Sequence, residues 1–404
     1  ISLKKIEHQL KRNRFYLQHL NKQISLFTIV TDTLKVYQLT KNDDLMEVSL
    51  NVLLEELRKQ TDFFKENIND LFKPSQFLVS PLNTPKAFLE GRYFLTQHQM
   101  EIKSKFFDLL KSNTETLFIA LTGDAGTGKT LLLYDLARAC SFSSNVCMIH
   151  CGMLSEGHRK INELVECMDV IAAKELKEGF SFDHYDYLFV DECQRFYEDQ
   201  FNLLIEIACQ LRIPTILSYD PVQTLSRKEE RTNIPFHIDK LPNLAKFGLT
   251  TKVRTNQELA AFILKVLNKN HLRSYPEYPN VTILFANDTH EGEILLEMFL
   301  EREYTFVEYT KSRFNPGPFD SFYGDYNTHD VIGQEFDNVV MIMDKTFHYD
   351  KKGFLRASLH PNDNYLYRQL LYQGMTRARE KLALIVVGSH SLFEQLLAIT
   401  YENK

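Results

Sequence analysis

Between Phe118 and Ala139 an apolar, β-type run enters a glycine-rich turn and leaves it as a helix-forming segment. No other stretch constrains the fold as much. The turn reads Gly123-Asp124-Ala125-Gly126-Thr127-Gly128-Lys129-Thr130, the spacing G-x-x-x-x-G-K-[ST] of a P-loop. Its glycines let successive backbone N–H groups close around a triphosphate without Cβ clashes, and the helix N-terminus adds its dipole. Lys129 is expected to reach the β/γ-phosphates and the Thr130 hydroxyl to ligate Mg²⁺. The competing reading, a chance glycine turn, is disfavoured by the readable strand and helix on either side. A chain built on this stretch is expected to bind and hydrolyse a nucleoside triphosphate, with ATP and Mg²⁺ as cofactors.

The whole 404-residue sequence has room for two or three domains and, at 44% hydrophobic, the material for real cores. A net charge of -6 argues against a whole-surface nucleic-acid binder but leaves room for a local basic groove. No apolar run approaches the ~18 residues of a membrane span, and no secretory signal is present, so no membrane partner is expected. Cys140, Cys147, Cys151, Cys167, Cys193 and Cys209 include no C-x-x-C pair. A zinc site from Cys147, Cys151 and His158 is therefore a poor reading, and buried reduced thiols in a cytoplasmic protein the better one. The chain opens on Ile1 rather than Met, directly into a helical pattern, so further material upstream is expected.

Within residues 1–73, residues 1–38 carry a heptad pattern: Leu3, Leu10, Leu17 and Ile24 in one register, Ile6, Asn13, Leu20, Phe27 and Leu34 in the other. Met46, Leu50, Leu53, Leu57, Phe64, Ile68 and Leu71 continue at helical spacing until Pro74. The pattern predicts an α-helical hairpin or coiled-coil arm. Either a protein partner (or self-association) takes up the seam, or the hairpin packs on the chain's own core. Residues 74–93, with Pro74, Pro81 and Pro85, read as a connector.

Beyond the P-loop helix, Asn145 to Cys151 alternates as a strand and Gly152 to Lys177 reads as mostly helical. Tyr185 to Val190 is an apolar strand that delivers Asp191-Glu192-Cys193-Gln194-Arg195 at its carboxyl end. That is where the second half of a P-loop ATPase site belongs: Asp191 to hold Mg²⁺ through water, Glu192 to accept a proton from the attacking water. Another strand, Pro214 to Tyr219, leads into Asp220-Pro221-Val222-Gln223. Downstream lie Val253-Arg254, Gly333-Gln334-Glu335 and Tyr372-Gln373-Gly374-Met375-Thr376-Arg377, the last followed by the strand Leu382 to Val387. Arg254 and Arg377 are candidates to supply cations to a bound anion across a domain interface.

Taken in order over about 94–390, these motifs resemble a superfamily 1 helicase, and are most similar to the schlafen-like group of ATPase/helicase domains. The resemblance implies an α/β architecture of two RecA-like P-loop domains, 94–248 and 249–404, with ATP in the cleft between them and single-stranded DNA or RNA crossing their top. On the matching positions it implies that Gln99 reads adenine, that Gln223 senses the γ-phosphate and that Arg254 is the motif IV arginine. Glu335, with Gly333, would meet the ribose, and Arg377 would be the arginine finger. The sequence departs from the family's pattern at Val253, where a tyrosine is common, at Ile332, and at Thr224-Leu225-Ser226, where an aromatic often stands; there is no Trp. The segments 152–184 and 254–328 are too short for large inserted subdomains, so the expectation is a minimal motor. It would be a helicase or translocase, with an ATP-dependent conformational switch or regulatory subunit as the alternative.

Overall fold

The computed structural model describes residues 3–17, 24–59, 79–112, 117–177, 179–221, 223–249, 256–272, 275–311, 317–358 and 364–401. The chain divides into two compact units, Ile1–Val79 with Lys86–Phe94, and Ser80–Pro85 with Leu95–Lys404.

In the first unit the helix Leu3–Leu17 meets a three-stranded antiparallel sheet, β1 (Leu26–Val30), β2 (Lys35–Leu39) and β3 (Leu45–Val48). Ile6 and Leu10 of the heptad seam bury against Leu26 and Leu39, and Arg14 donates to Asp43 at 2.6 Å and to the Leu39 carbonyl at 2.9 Å. The expected helical hairpin is thus corrected. Phe27 stands on a strand and Leu34 in a turn at φ 54°, while Leu20, Phe64, Ile68 and Leu71 lie outside the described residues. Thr28, Ile29, Val30, Val36 and Tyr37 are β-branched or aromatic and favour a pleated surface, which overrides the seven-residue spacing. A second helix, Leu50–Arg58, follows β3.

The second unit is α/β. Its first lobe is a six-stranded parallel sheet of β4 (Phe118–Gly123), β5 (Val146–His150), β6 (Met168–Ala172), β7 (Tyr187–Asp191), β8 (Thr215–Tyr219) and β9 (Ala245–Leu249), in the order β6-β5-β7-β8-β4-β9. This is the RecA-like order. Strand β6 was not legible as such. Asp169 interrupts a five-residue edge strand whose alternate residues Met168, Val170 and Ala172 turn inward, and of the expected helical stretch Glu156–Leu164 is α-helical and Ala173–Glu175 a 3₁₀ turn. The second lobe is a parallel sheet of β10 (Val281–Ala286), β11 (Thr305–Glu308), β12 (Tyr326–Asn327), β13 (Phe336–Asp344) and β16 (Ala378–Val387), in the order β10-β16-β13-β11-β12. A small hairpin, β14 (Phe347–Tyr349) and β15 (Leu355–Ala357), hangs off it. Parallel sheets covered by helices bury both faces, so β16 runs Leu382-Ala383-Leu384-Ile385-Val386 with no exposed member. Among the described residues no helix is long and apolar enough to cross a membrane.

Candidate nucleotide site and inter-lobe cleft

Because β4, β8 and β7 are adjacent and parallel, their carboxyl ends bring the P-loop, Asp220 and Asp191 to one edge of the first lobe. Gly126 and Gly128 take φ 78° and 84°, which only glycine adopts without strain, and Gly128 caps the helix Lys129–Ser141. A side chain at Gly128 would also run into Gln99. The Gln99 carboxamide is buried behind the loop: its Nε2 donates to the Thr127 and Gly128 carbonyls at 3.4 and 3.5 Å, and its Oε1 accepts from Thr96 N–H at 2.9 Å. Gln99 therefore meets the P-loop itself. At the front of the loop, Lys129 Nζ donates to the Gly123 and Asp124 carbonyls at 2.6 and 3.0 Å and lies 3.8 Å from the Asp220 carboxylate. Thr127 Oγ1 ties back to the Asp124 carbonyl, while Ala125 is buried in the turn.

Asp191 and Glu192 are both buried. Asp191 Oδ1 accepts from Glu192 N–H at 3.1 Å, while Oδ2 is sealed from solvent without a hydrogen-bond partner, 4.0 Å from His150 Nδ1. Burial first, and the neighbouring Glu192 charge second, hold the Asp191 carboxyl above the ordinary range. For Glu192 burial pushes upward, but Arg195, Lys129 and Arg377 outweigh it and hold the group below the ordinary range. Glu192 sits at φ 60°, a conformation costly for a side chain and frequent at functional sites. The orphaned Oδ2 of Asp191 and the Thr130 hydroxyl offer a hard-oxygen donor set beside the P-loop, which fits Mg²⁺.

The second lobe faces this edge with the amino ends of β13 and β16. Phe336 pairs with Ala378, so Glu335 and Arg377 come side by side. Arg377 is buried; it donates from Nε to the Gln373 carbonyl at 3.3 Å and from a terminal nitrogen to the Gln334 carbonyl at 3.3 Å. Gly333 turns at φ 76° ahead of Glu335. Gln223, from the first lobe, donates to Gln373 Oε1 of the helix Tyr367–Met375. The chain after Gln223 crosses over: Leu225 is fully buried in the second-lobe core, and Leu366 N–H donates to its carbonyl at 3.0 Å. The structure thus sets Lys129, Glu192 and Arg377 within electrostatic reach of one another, with Thr130 beside Asp191, Gln223 bonded to the Arg377-bearing segment through Gln373, and Gly333 and Glu335 on the strand entry next to Arg377; Arg254 lies outside the described residues.

Three features escaped the sequence. Gln373 stands in an otherwise ordinary helix. A cleft of about 290 Å³ between the lobes is lined by Met153, Lys174, Tyr197, Lys228, His329 and Tyr365, among others, and Lys228 Nζ sits 3.8 Å above the half-exposed Tyr197 ring. Tyr197 follows the D-E box too closely to stand out from it. The third is Ser80–Pro85, read as connector. Its Leu82 packs on Gly157 of the first lobe and Gly333 of the second, and Asn83 Nδ2 donates to the Glu335 carbonyl.

The family model described as Schlafen group 3, DNA/RNA helicase domain, matches residues 116–293. No curated protein matches the chain. Among solved structures the chain is similar to Pif1 helicase from Bacteroides in complex with ADP-AlF3 and ssDNA, at 13% identity over 72% of this chain and 92% of that one, TM-score 0.39. It is also similar to a Pif1 helicase solved for DNA unwinding at forked dsDNA, at 12% identity over 73% and 92%, TM-score 0.41. Unliganded Pif1 from Bacteroides sp. gives 13% identity over 76% and 95%, TM-score 0.39.

Proposed function

From the match of residues 116–293 to the Schlafen group 3 DNA/RNA helicase domain we propose that the chain is a superfamily 1 P-loop NTPase, an ATP-hydrolysing motor on single-stranded nucleic acid. One observation carries the reading: the buried Glu192 carboxylate, paired with Arg195 at 3.4 Å, also lies within electrostatic reach of Lys129 of its own lobe and Arg377 of the other. A base, a phosphate-binding lysine and a cation from a second lobe converging on one buried point is what phosphoryl transfer to water requires.

In this reading the P-loop backbone and Lys129 hold the phosphates, while Thr130 and Asp191 would hold Mg²⁺, which when bound offsets phosphate charge. Glu192, kept ionised by its cationic neighbours, takes the proton of the attacking water. Gln194 fixes its Oε2 by a 2.6 Å hydrogen bond. Gln223 senses the γ-phosphate, Arg377 stabilises charge that develops in the transition state, and Glu335 and Gly333 border the ribose. For Gln99 to read adenine its carboxamide must leave the P-loop carbonyls. The cleft with Tyr197 and Lys228 supports the choice of substrate, since an aromatic platform beside cations suits stacked bases and a phosphate backbone.

A second reading, an ATP-dependent switch, is favoured by Ser80–Pro85. This segment touches both lobes, and both its ends continue into the other unit. The two readings part in one experiment: ATP turnover measured with and without single-stranded DNA or RNA. Stimulation that falls with salt supports the motor. Turnover without stimulation, accompanied by nucleotide-dependent hydrogen exchange at 80–85, would replace it with the switch.

A further inference from the structure

We infer that Gln373 is a positioning residue of the hydrolysis site, through which the state of Gln223 in one lobe sets Arg377 in the other. The inference rests on the ATPase reading above and names a regulator of that same site.

Gln373 is fully buried, and its two ends face different partners. Its side-chain oxygen accepts from Gln223 Nε2; its backbone carbonyl accepts from Arg377 Nε at 3.3 Å and from Thr376 Oγ1 at 2.9 Å. One residue thus touches both the first-lobe glutamine and the guanidinium. On the first-lobe side the same loop that carries Gln223 also begins at the Glu192 network. Gln194 donates to Glu192 Oε2 at 2.6 Å and accepts from Asp220 N–H at 3.2 Å, and Asp220 is three residues from Gln223.

The relay is rigid where rigidity matters. Gly374 follows Gln373, and a Cβ there would run into the thioether of Met341 on β13, so at this point the helix packs directly on a side chain of the sheet. Leu370, Leu371 and Met375 around it are fully buried. Gln223 is steadied from the other side by Leu225 in the second-lobe core. A shift of Gln223 therefore passes to the Gln373 side chain and the adjoining turn that carries Arg377.

Packing alone does not explain a glutamine here. Its Nε2 is sealed from solvent with no hydrogen-bond partner, which is costly; Met or Leu would fill the volume without that cost. What an apolar residue would lack is the oxygen that Gln223 reaches.

The test is steady-state ATP turnover, at saturating single-stranded nucleic acid, of Gln373→Met, Gln373→Glu, Gln223→Ala and the Gln223→Ala/Gln373→Met pair. Gln373→Met fills the space without the acceptor and is expected to lower kcat roughly tenfold, the size of one buried hydrogen bond, with KM for ATP within about twofold. Gln373→Glu keeps length and acceptor and should recover most of kcat; it also serves if the methionine variant fails to fold. The double variant should be no slower than the slower single one. Wild-type kcat in Gln373→Met, glutamate no better than methionine, or multiplicative losses in the double variant would each overturn the inference while leaving the ATPase reading intact. Turnover that survives Lys129→Ala would overturn both.

Discussion

Gln194 holds Glu192 through a 2.6 Å hydrogen bond from its amide nitrogen to Oε2, while its oxygen takes the Asp220 N–H at 3.2 Å. The Glu192 carboxylate, the proposed base, is thereby fixed to the ends of two neighbouring strands, β7 and β8, and cannot swing as a free side chain would. Glu192→Gln keeps the shape and removes only the proton acceptor. Nucleotide binding should survive, and turnover should fall by about 10²–10⁴-fold, the usual contribution of a positioned base. Lys129→Ala should differ by losing turnover and weakening binding together. Binding of a fluorescent ATP analogue alongside phosphate release separates the two; equal losses of binding in both variants would remove Glu192 from the role of base.

The strand–turn–helix and the paired carboxylates of the proposed nucleotide site were legible because their signals are local. A glycine turn between a strand and a helix, and two carboxylates at the end of an apolar strand, keep their meaning without knowledge of the rest of the chain. Gln373 was not legible, since a lone glutamine in a helix acquires its role only when Gln223 arrives from another lobe. The N-terminal heptads failed for another reason. Ile6 and Leu10 do form a buried helical stripe, but their partners are Leu26 and Leu39 on strands. A seven-residue spacing cannot distinguish a second helix from a sheet as the surface that covers it. Ser80–Pro85 has connector composition because prolines suit a strap as well as a loop.

Three histidines couple stability to pH. Burial pushes His150 down to about 4, with Glu192 opposing and Arg195 assisting; burial, then the His150 charge, pushes His158 to about 2; burial, then Arg195, pushes His329 to about 3. The unfolded chain takes up these protons below about pH 6.5 while the folded chain refuses them. Stability is therefore complete above that value and declines by ~1.4 kcal/mol per pH unit for each histidine as the pH falls toward the folded values. His158→Gln keeps an acceptor for the Ser155 N–H, bonded at 2.9 Å, and removes one titrating group. Urea unfolding between pH 6 and 5 should show a slope shallower by ~1.4 kcal/mol per unit. An unchanged slope would mean that His158 is protonated within the fold.

The inter-lobe cleft makes two separable predictions for a single strand. Tyr197, a half-exposed ring, should act as a stacking platform, so Tyr197→Ala should weaken binding by about 1–3 kcal/mol irrespective of sequence. Lys228, whose ammonium sits 3.8 Å above that ring, should meet phosphate, so Lys228→Ala should reduce the slope of log K against log salt by about 0.7. Anisotropy titrations with a labelled oligonucleotide at several salt concentrations measure both. If neither variant moves the isotherm, the strand does not pass through this cleft.

Gly157 tests the strap. It lies in the first turn of the helix Glu156–Leu164, where replacing glycine by alanine ordinarily stabilises a protein by roughly 0.5–1 kcal/mol. Here a Cβ would run into the Leu82 carbonyl, which is backbone and cannot rotate away. Leu82 has little room on its other flank, since its Cδ1 lies 2.9 Å from where a Cβ at Gly333 would stand. Its own turn is closed by Thr84 N–H to the Ser80 carbonyl at 2.9 Å and by Asn83 to the Glu335 carbonyl. The sign should therefore reverse: Gly157→Ala should cost about 1–3 kcal/mol, as overpacking does, and should displace the strap rather than the helix. Thr84 amide exchange should accelerate while amides of the helix core keep their protection. A stabilised variant with a protected Thr84 would mean that the strap does not hold the two lobes together.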